Sequence, residues 1–172
     1  AGRMSFDDVS AFAAELFFDE YLVHIEGPLA GQPFVLVPWQ REIVREIFGR
    51  KRSDGLRQYR KVFLAIPRGN GKSTFAAGLA LFMLLLDGER SAKVYSAAAD
   101  KPQAAIVFET AEKMALASPQ LKSLVKPYRN KTMEYPAMGS KYIVLSSDAY
   151  TKHGLNPSGI VFDELHTQPN RE

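Results

Sequence analysis

The stretch "AIPRGNGKST", residues 65–74, decides the fold of this chain. It overlaps the apolar run "KVFLAI" at residues 61–66 and precedes the longer apolar run "FAAGLALFMLLL" at residues 75–86. The first run has the length and composition of a strand, and the second is apolar almost all round, as in a buried helix. Gly69 and Gly71 allow the tight backbone that joins a strand to a helix. The sequence therefore predicts a strand, a glycine-rich loop and a buried helix in succession.

The residues at the end of this loop have the chemistry of a phosphate-binding site. Glycines let backbone N–H groups turn inward, Lys72 would reach the β- and γ-phosphates of a nucleotide, and the Ser73 hydroxyl would hold Mg²⁺. The N-terminus of the following helix also favours anions. The pattern departs from the usual G-x-x-x-x-G-K-[ST], because Ile66 occupies the position of the first glycine. The alternative interpretation is a glycine-rich turn that carries a solvated lysine.

A pair of acids follows a second apolar run, "IVFDE" at residues 160–164. In P-loop ATPases an aspartate at such a strand end, here Asp163, holds Mg²⁺, usually through water. The neighbouring carboxylate, Glu164, can orient the attacking water and take its proton. The alternative interpretation is that the two acids simply lie at a solvated strand end. The preceding phosphate loop favours ATP binding and hydrolysis.

An amide near the N-terminal part of the chain fits adenine. Gln40 lies in "PWQ", at the head of a predicted helix. Its side chain offers an acceptor and a donor, which complement the N6 donor and N7 acceptor of adenine. The alternative is a surface glutamine on an amphipathic helix. Trp39 is expected to pack in the core or loop and not to stack on a base.

Alternation of strands and helices predicts an α/β fold with a parallel, doubly wound sheet. A helix is expected from Pro38 to Gly49, a strand at 92–99, a helix at 100–117, two strands around a turn at 131–148, and a last strand at 158–166. An amphipathic helix near the N-terminus is indicated by apolar residues at helical spacing. These residues are Val9, Phe12, Ala13, Leu16 and Phe17.

Composition bounds the possible partners. The 172 residues contain no cysteine, so disulfides and thiolate metal sites are excluded. Hydrophobic residues at 46% and charged residues at 24% are typical of a globular protein. The net charge of +3 permits a nucleic-acid partner without indicating one. The longest apolar run is shorter than the roughly 20 residues of a membrane span, so no membrane partner is expected.

With these motifs in place, the chain resembles the ATPase domain of the large terminase subunit of tailed phages, the DNA-packaging motor. The matching segments are "LVPWQREIVREIFG", "FLAIPRGNGKSTFAAGLALFMLL", "VYSAAADKPQAAIVF" and "HGLNPSGIVFDELH". They cover nearly all of residues 34–168 in the order found in the family. The missing first glycine is itself typical of terminase Walker A motifs. The resemblance implies a P-loop NTPase of the ASCE, RecA-like type, with a mainly parallel sheet flanked by helices and an N-terminal helical segment.

The resemblance also implies roles for the matched residues. Catalysis is implied for Glu164, Lys72 and Arg68, the arginine that terminases carry within the Walker A loop to contact the γ-phosphate. Ser73 and Asp163 would hold Mg²⁺, with Asp163 acting through water. The implied nucleotide-binding residues lie in the adenine motif, the Walker A loop and the Walker B strand: Gln40, Pro67, Arg68, Gly69, Asn70, Gly71, Lys72, Ser73, Thr74 and Asp163.

Ring-forming relatives also insert an arginine into the site of the neighbouring subunit. The loop before "IVFDE" offers Lys152 instead of an arginine. Either Lys152 has this role, or Arg129 or Arg171 has it, or the protein relies on Arg68. A lysine is the poorer bidentate partner for phosphate oxygens.

The expected organisation is an N-terminal helical segment at residues 1–50 with the adenine motif, followed by an ATPase core at residues 51–172. We expect the chain to be part of a longer protein, stopping just after the Walker B motif and lacking the C-terminal nuclease domain. The family implies ATP and Mg²⁺ as cofactors. It implies double-stranded DNA, the portal protein, the small terminase subunit and a homo-oligomeric ring as partners. The implied location is the cytoplasm of the infected bacterial host, docked on the procapsid.

Two other functions remain open from the sequence. A superfamily 2 helicase or restriction-type translocase shares the glutamine motif and the acidic Walker B pair, but needs a second RecA-like domain downstream. A non-hydrolysing nucleotide-binding switch would not need Glu164.

Overall fold

A five-stranded sheet and four longer helices form the part of the chain that the structure describes. The computed structural model describes residues 5–67, 69–98, 101–145 and 155–163. The elements in chain order are β1 Ser5–Phe6, α1 Asp8–Tyr21, α2 Pro38–Gly49, β2 Arg50–Lys51, α3 Lys72–Leu85, β3 Lys93–Ala97, α4 Lys101–Ala117, α5 Pro119–Lys122, β4 Lys126–Tyr128, β5 Thr132–Tyr135, a 3-10 turn Pro136–Met138, β6 Ser140–Val144 and β7 Gly159–Phe162.

The order of strands in the sheet is β4–β5–β6–β3–β7. β3 pairs in parallel with β6 on one side and with β7 on the other. β4, β5 and β6 pair antiparallel, because β5 and β6 are joined by a tight turn that ends at Gly139 with φ 66°. The predicted α/β class is confirmed. β4 is an addition that the sequence did not indicate.

Helices α3 and α4 cover the sheet. They pack against each other, and both contact β3 and β6. The ring of Phe108 on α4 lies 5.0 Å from that of Tyr142 on β6. Tyr142 is fully buried, and its hydroxyl shares a hydrogen bond with the Ser96 hydroxyl of β3. Burial raises the pKa of the Tyr142 phenol.

The N-terminal helix α1 buries a different face from the predicted one. Val9, Phe12 and Leu16 are 80%, 59% and 39% exposed. The residues that α1 buries against α2 and α3 are Ala11, Ala14, Glu15, Phe17 and Phe18. The physical reason lies in the partner helix: Gly78 of α3 has no side chain, which leaves room for the ring of Phe18.

A set of ion pairs fixes α1 against α2. The Glu15 carboxylate accepts from Arg41 at 2.9 Å and from Arg45 at 2.7 Å. Arg41 also donates to Asp19 at 3.0 Å, and Asp19 accepts from the N–H of Leu36 at 3.2 Å. Because Glu15 is only 7% exposed, these donors supply the hydrogen bonds that a buried carboxylate requires. The network orients the first turns of α2, which contain Gln40.

The predicted strand at residues 61–66 is not formed. No strand is assigned to these residues, and Val62 and Phe63 are 47% and 76% exposed. A strand requires a neighbour for its backbone groups. In the described part of the chain, β7 ends the sheet on this side, and no segment pairs with residues 61–66. The prediction of a strand at these residues was therefore wrong.

The other predicted elements are confirmed within a few residues. Helix α2 has the predicted bounds, and its Ile47 and Phe48 lie in the core. α1, α2, α3 and α4 share one hydrophobic cluster with the sheet. Among the described helices, none has both the length and the apolar character needed to cross a bilayer.

Candidate nucleotide site

The glycine-rich loop leads directly into α3. Gly69 and Gly71 have φ of 80° and 69°, which is the left-handed region that glycine adopts without strain. Gly71 is the N-cap of α3, and it has no side chain that would occupy the N–H groups of the first turn. The side-chain amide of Asn70 donates to the carbonyl of Pro67 at 3.2 Å, which tightens the loop. The helix N-terminus therefore has the open backbone geometry that anions prefer.

Three predicted site residues come together between α3 and β7. The ammonium of Lys72 lies 3.2 Å from Oδ1 of Asp163, and the Ser73 hydroxyl donates to Oδ2 of the same carboxylate at 3.3 Å. The N–H of Asp163 donates to the carbonyl of Ala97, so the β3–β7 ladder fixes the backbone of the carboxylate. Asp163 is 5% exposed. Residues ninety positions apart thus meet at the carboxyl edge of the parallel strands.

The donor set fits a magnesium nucleotide. A hydroxyl and a carboxylate within hydrogen-bonding distance are the oxygen ligands, direct or through water, that Mg²⁺ prefers. A lysine beside them at a helix N-terminus provides positive charge for phosphate oxygens. In the described part of the chain, no group of three or more histidine, aspartate or glutamate side chains forms a separate metal site.

Gln40 lies in the first turn of α2 and is 6% exposed. Its Oε1 accepts from the N–H of Val37 at 3.1 Å, so the side chain caps its own helix. Trp39 packs edge-on against Phe75 of α3 at 5.7 Å, as predicted for a packing residue. The start of α2 therefore lies beside the first turns of α3. The contact of Gln40 with adenine stays a prediction.

Other predicted residues are separate from this cluster. Arg68 and Glu164, together with Lys152 and Arg171, lie outside the described residues. Arg129 follows β4, which is four strands away from β7 in the sheet. With neighbouring strands about 4.8 Å apart, this separation is roughly 19 Å, so Arg129 is distant from the site of its own chain.

The sequence did not single out the residues that hold α2 in place. Arg41 bonds Glu15 and Asp19, which are 26 and 22 positions away along the chain. Acidic residues and arginines on amphipathic helices usually face solvent, so the sequence pattern did not predict this pairing. The one available signal was the acid at position 15 between apolar residues of α1.

Comparisons with known proteins agree with this geometry. Residues 38–172 match the family described as "Terminase large subunit, ATPase domain". The large terminase subunit of Enterobacteria phage HK97 is 31% identical over 151 residues, which are 86% of this chain and 29% of that protein. The crystal structure of the HK97 large terminase superposes with a TM-score of 0.77 at 27% identity, covering 91% of this chain and 31% of that one.

The fold and the loop define a P-loop ATPase architecture. The chain belongs to the family of terminase large-subunit ATPase domains. It spans about three-tenths of the length of the HK97 relative.

Proposed function

We propose that this chain binds Mg·ATP between α3 and β7, hydrolyses it, and uses the energy to drive double-stranded DNA into a procapsid. The observation that carries the proposal is the meeting of Lys72 and Ser73 with Asp163 at 3.2 and 3.3 Å. Family membership, through the ATPase domain that residues 38–172 match, supports ATP as the nucleotide. No described feature favours the helicase or switch alternatives.

The residues of the chain divide the chemistry among them. Lys72 and the N–H groups at the start of α3 bind the β- and γ-phosphates and balance their charge. Mg²⁺ held by Ser73 and, through water, by Asp163 would neutralise further negative charge on the triphosphate. Glu164 accepts a proton from the attacking water. The oxygen of that water forms a bond to the γ-phosphorus, and the bond between the γ-phosphorus and the β–γ bridging oxygen breaks.

Arginine completes the proposed site. The guanidinium of Arg68 contacts γ-phosphate oxygens with two parallel hydrogen bonds. Arg129, Lys152 or Arg171 of a neighbouring subunit would supply a second positive charge in a ring. The loss of such a group costs about 10³-fold or more in rate in other nucleotide hydrolases.

The wider role is proposed from the family. The large subunit would act as a ring with the portal protein and the small terminase subunit, in the host cytoplasm and on the procapsid. It would also cut DNA through a nuclease domain outside this chain. DNA contacts would be mainly to phosphates, so affinity would fall steeply with salt and vary little with sequence.

The substitution Asp163→Asn tests the proposal. It removes the negative charge that faces Mg²⁺ but keeps the size of the side chain. The ratio of nucleotide affinity with Mg²⁺ to that in EDTA measures how much the metal strengthens binding. We expect this ratio to fall by about 10- to 100-fold. Affinity in EDTA should be unchanged or slightly higher, because Lys72 no longer pairs with a carboxylate. The measurement is a fluorescence titration with an ATP analogue, with Mg²⁺ and with EDTA.

The control for this experiment is Asp54→Asn, an exposed acid that pairs with Arg52 in a surface turn. It should leave both titrations unchanged. In the full-length protein, Asp163→Asn should also prevent DNA packaging in vitro. If Asp163→Asn keeps the full Mg²⁺ dependence of nucleotide binding, Asp163 does not hold the metal. If the variant packages DNA at the wild-type rate, this site does not power packaging.

Gln40 is proposed to select adenine. Replacing it by glutamate keeps the oxygen that accepts from Val37 but removes the amide donor that adenine N7 requires. We expect the preference for ATP over GTP to fall by about tenfold, which corresponds to the lower range for a bidentate base contact. Competition titrations with the two nucleotides measure this ratio.

Comparison of Gln40→Ala with Gln40→Glu separates the adenine contact of the side chain from its role as a helix cap. Gln40→Ala removes the helix cap as well, so the free energy of unfolding should fall by about 1 kcal/mol in addition. A nucleotide preference that survives in both variants would show that Gln40 is only a cap.

A further inference from the structure

The ends of α3 and β7 that face away from the nucleotide site meet at a single arginine. α3 begins with Lys72 and Ser73, and β7 is followed directly by Asp163. Their opposite ends are marked by Asp87, just beyond α3, and by the residue before β7, Ser158. Both of these ends contact Arg57.

Arg57 contacts the two ends through a charged hydrogen bond and an ion pair. It donates to the carbonyl of Ser158 at 2.8 Å and lies 3.2 Å from Oδ2 of Asp87. Its guanidinium also lies 6.0 Å from the ring centre of Phe48 on α2. The side chains of Arg57 and Asp87 are 24% and 11% exposed. Burial raises the pKa of Asp87, and the charge of Arg57 opposes this effect.

α3 and β7 also approach each other closely in the same region. A Cβ atom on Gly159 would lie 2.4 Å from Sδ of Met83. Met83 is on α3, and its sulfur is 3.8 Å from Nη1 of Arg57. The strand and the helix are therefore in direct contact here, with no room for an extra carbon atom. A larger residue at position 159 would require the flexible side chain of Met83 to move.

Ser158 also connects this contact to the centre of the sheet. Its N–H donates to the carbonyl of Lys93, and its hydroxyl accepts from the N–H of Lys93, at 2.9 and 3.0 Å. Arg57 therefore binds the residue that sets the start of the β3–β7 ladder. The other end of the same ladder fixes the backbone of Asp163.

We propose that Arg57 is a positioning residue for the metal site, because it sets the axial position of α3 relative to β7. α3 is about 21 Å long at 1.5 Å per residue, and it is packed on both sides, so a displacement at Asp87 is transmitted to Ser73. The hydroxyl of Ser73 and the carboxylate of Asp163 must lie close together to share one ion. This inference rests on the proposed Mg·ATP site.

The test measures how strongly Mg²⁺ enhances nucleotide binding in Arg57 variants. Arg57→Met keeps the apolar stem over Phe48 but removes the hydrogen bond to Ser158 and the ion pair with Asp87. We expect the Mg²⁺ enhancement to fall by about tenfold, as for other residues that orient metal ligands indirectly, while affinity in EDTA stays near wild type. Arg57→Lys keeps a charge beside Asp87 but lacks the planar guanidinium that contacts Ser158, Asp87 and the ring of Phe48 together. It should give an intermediate loss, and it preserves the test if Arg57→Met does not fold.

The matched control is Arg52→Met, at an exposed arginine that pairs with Asp54 in the same turn. It should bind nucleotide as the wild type does under both conditions. If the folded Arg57 variants lose thermal stability but keep the full Mg²⁺ enhancement, Arg57 is a stabilising residue only and the proposal is wrong. If the wild type itself shows no Mg²⁺-dependent nucleotide binding, the proposed function fails first, and this inference fails with it.

Discussion

Replacing Glu164 by glutamine is expected to lower ATP turnover by roughly 10²- to 10⁴-fold, the usual contribution of a general base. Glutamine has the size of glutamate but cannot accept the proton of the attacking water. Nucleotide binding should persist, because Lys72, Ser73 and the glycine loop remain. The measurement is steady-state phosphate release by the full-length protein, with and without double-stranded DNA, together with the nucleotide titration described above.

Two further variants make this result specific. Glu20→Gln replaces an exposed glutamate of α1 and should leave turnover unchanged. Lys72→Met should weaken nucleotide binding as well as turnover, because the role proposed for the lysine is to bind the phosphates in the ground state. Turnover that survives Glu164→Gln would mean that another group takes the proton, and the assignment of the catalytic carboxylate would have to be abandoned.

The largest effect on stability is expected at the contact of Phe18 with Gly78. Phe18 is fully buried, with the rings of Phe34 and Phe75 at 5.7 and 5.8 Å. Phe18→Ala should therefore lower the free energy of unfolding by about 3–5 kcal/mol. A Cβ on Gly78 would lie 2.3 Å from Cε1 of Phe18, so Gly78→Ala should cost about 1–3 kcal/mol despite the better helix propensity of alanine.

The two changes together should not add. Once the Phe18 ring is removed, the methyl group of Ala at position 78 enters the emptied space and the helix gains about 1 kcal/mol in propensity. We expect Gly78→Ala to stabilise the Phe18→Ala protein, the opposite of its effect in the wild type. Urea unfolding of the four proteins measures this cycle, and Phe12→Ala, at a 59% exposed ring, provides a control with an expected change within about 0.5 kcal/mol. If the free-energy changes of Phe18→Ala and Gly78→Ala simply add, the two residues are not in contact.

The sequence predicted the cluster of Lys72, Ser73 and Asp163 because its signals are local. The glycines, Lys72 and Ser73 are contiguous, and an apolar run followed by Asp163 indicates a strand end. Ligand sites of α/β folds lie at the carboxyl edge of the sheet, so the phosphate loop was expected to meet the end of the strand that precedes Asp163. The contact of Ser73 with Asp163 at 3.3 Å agrees with that expectation.

The errors came from features that depend on distant residues. The apolar residues of α1 are compatible with more than one buried face. The face that is buried depends on Gly78, some sixty residues away, and on the pairing of Glu15 with Arg41. For residues 61–66, composition indicated extended backbone, but pairing requires a neighbouring strand that no local pattern can supply. Arg57 was missed for the same reason, since its partner Ser158 is 101 positions away.

The buried hydroxyl pair of Ser96 and Tyr142 has a consequence for how the sheet assembles. In the observed alignment, Val94 lies opposite Tyr142 and Ser96 opposite Val144, and the two hydroxyls meet on the diagonal. Sliding β6 by two residues would keep the same side chains facing α4, so hydrophobicity alone scarcely distinguishes the two alignments. A slide in the direction that moves Tyr142 further from Ser96 would, however, separate the hydroxyls and leave each one buried without a partner, at a cost of about 1–3 kcal/mol apiece. The hydroxyl pair therefore favours the observed alignment of β3 and β6 over that misaligned pairing.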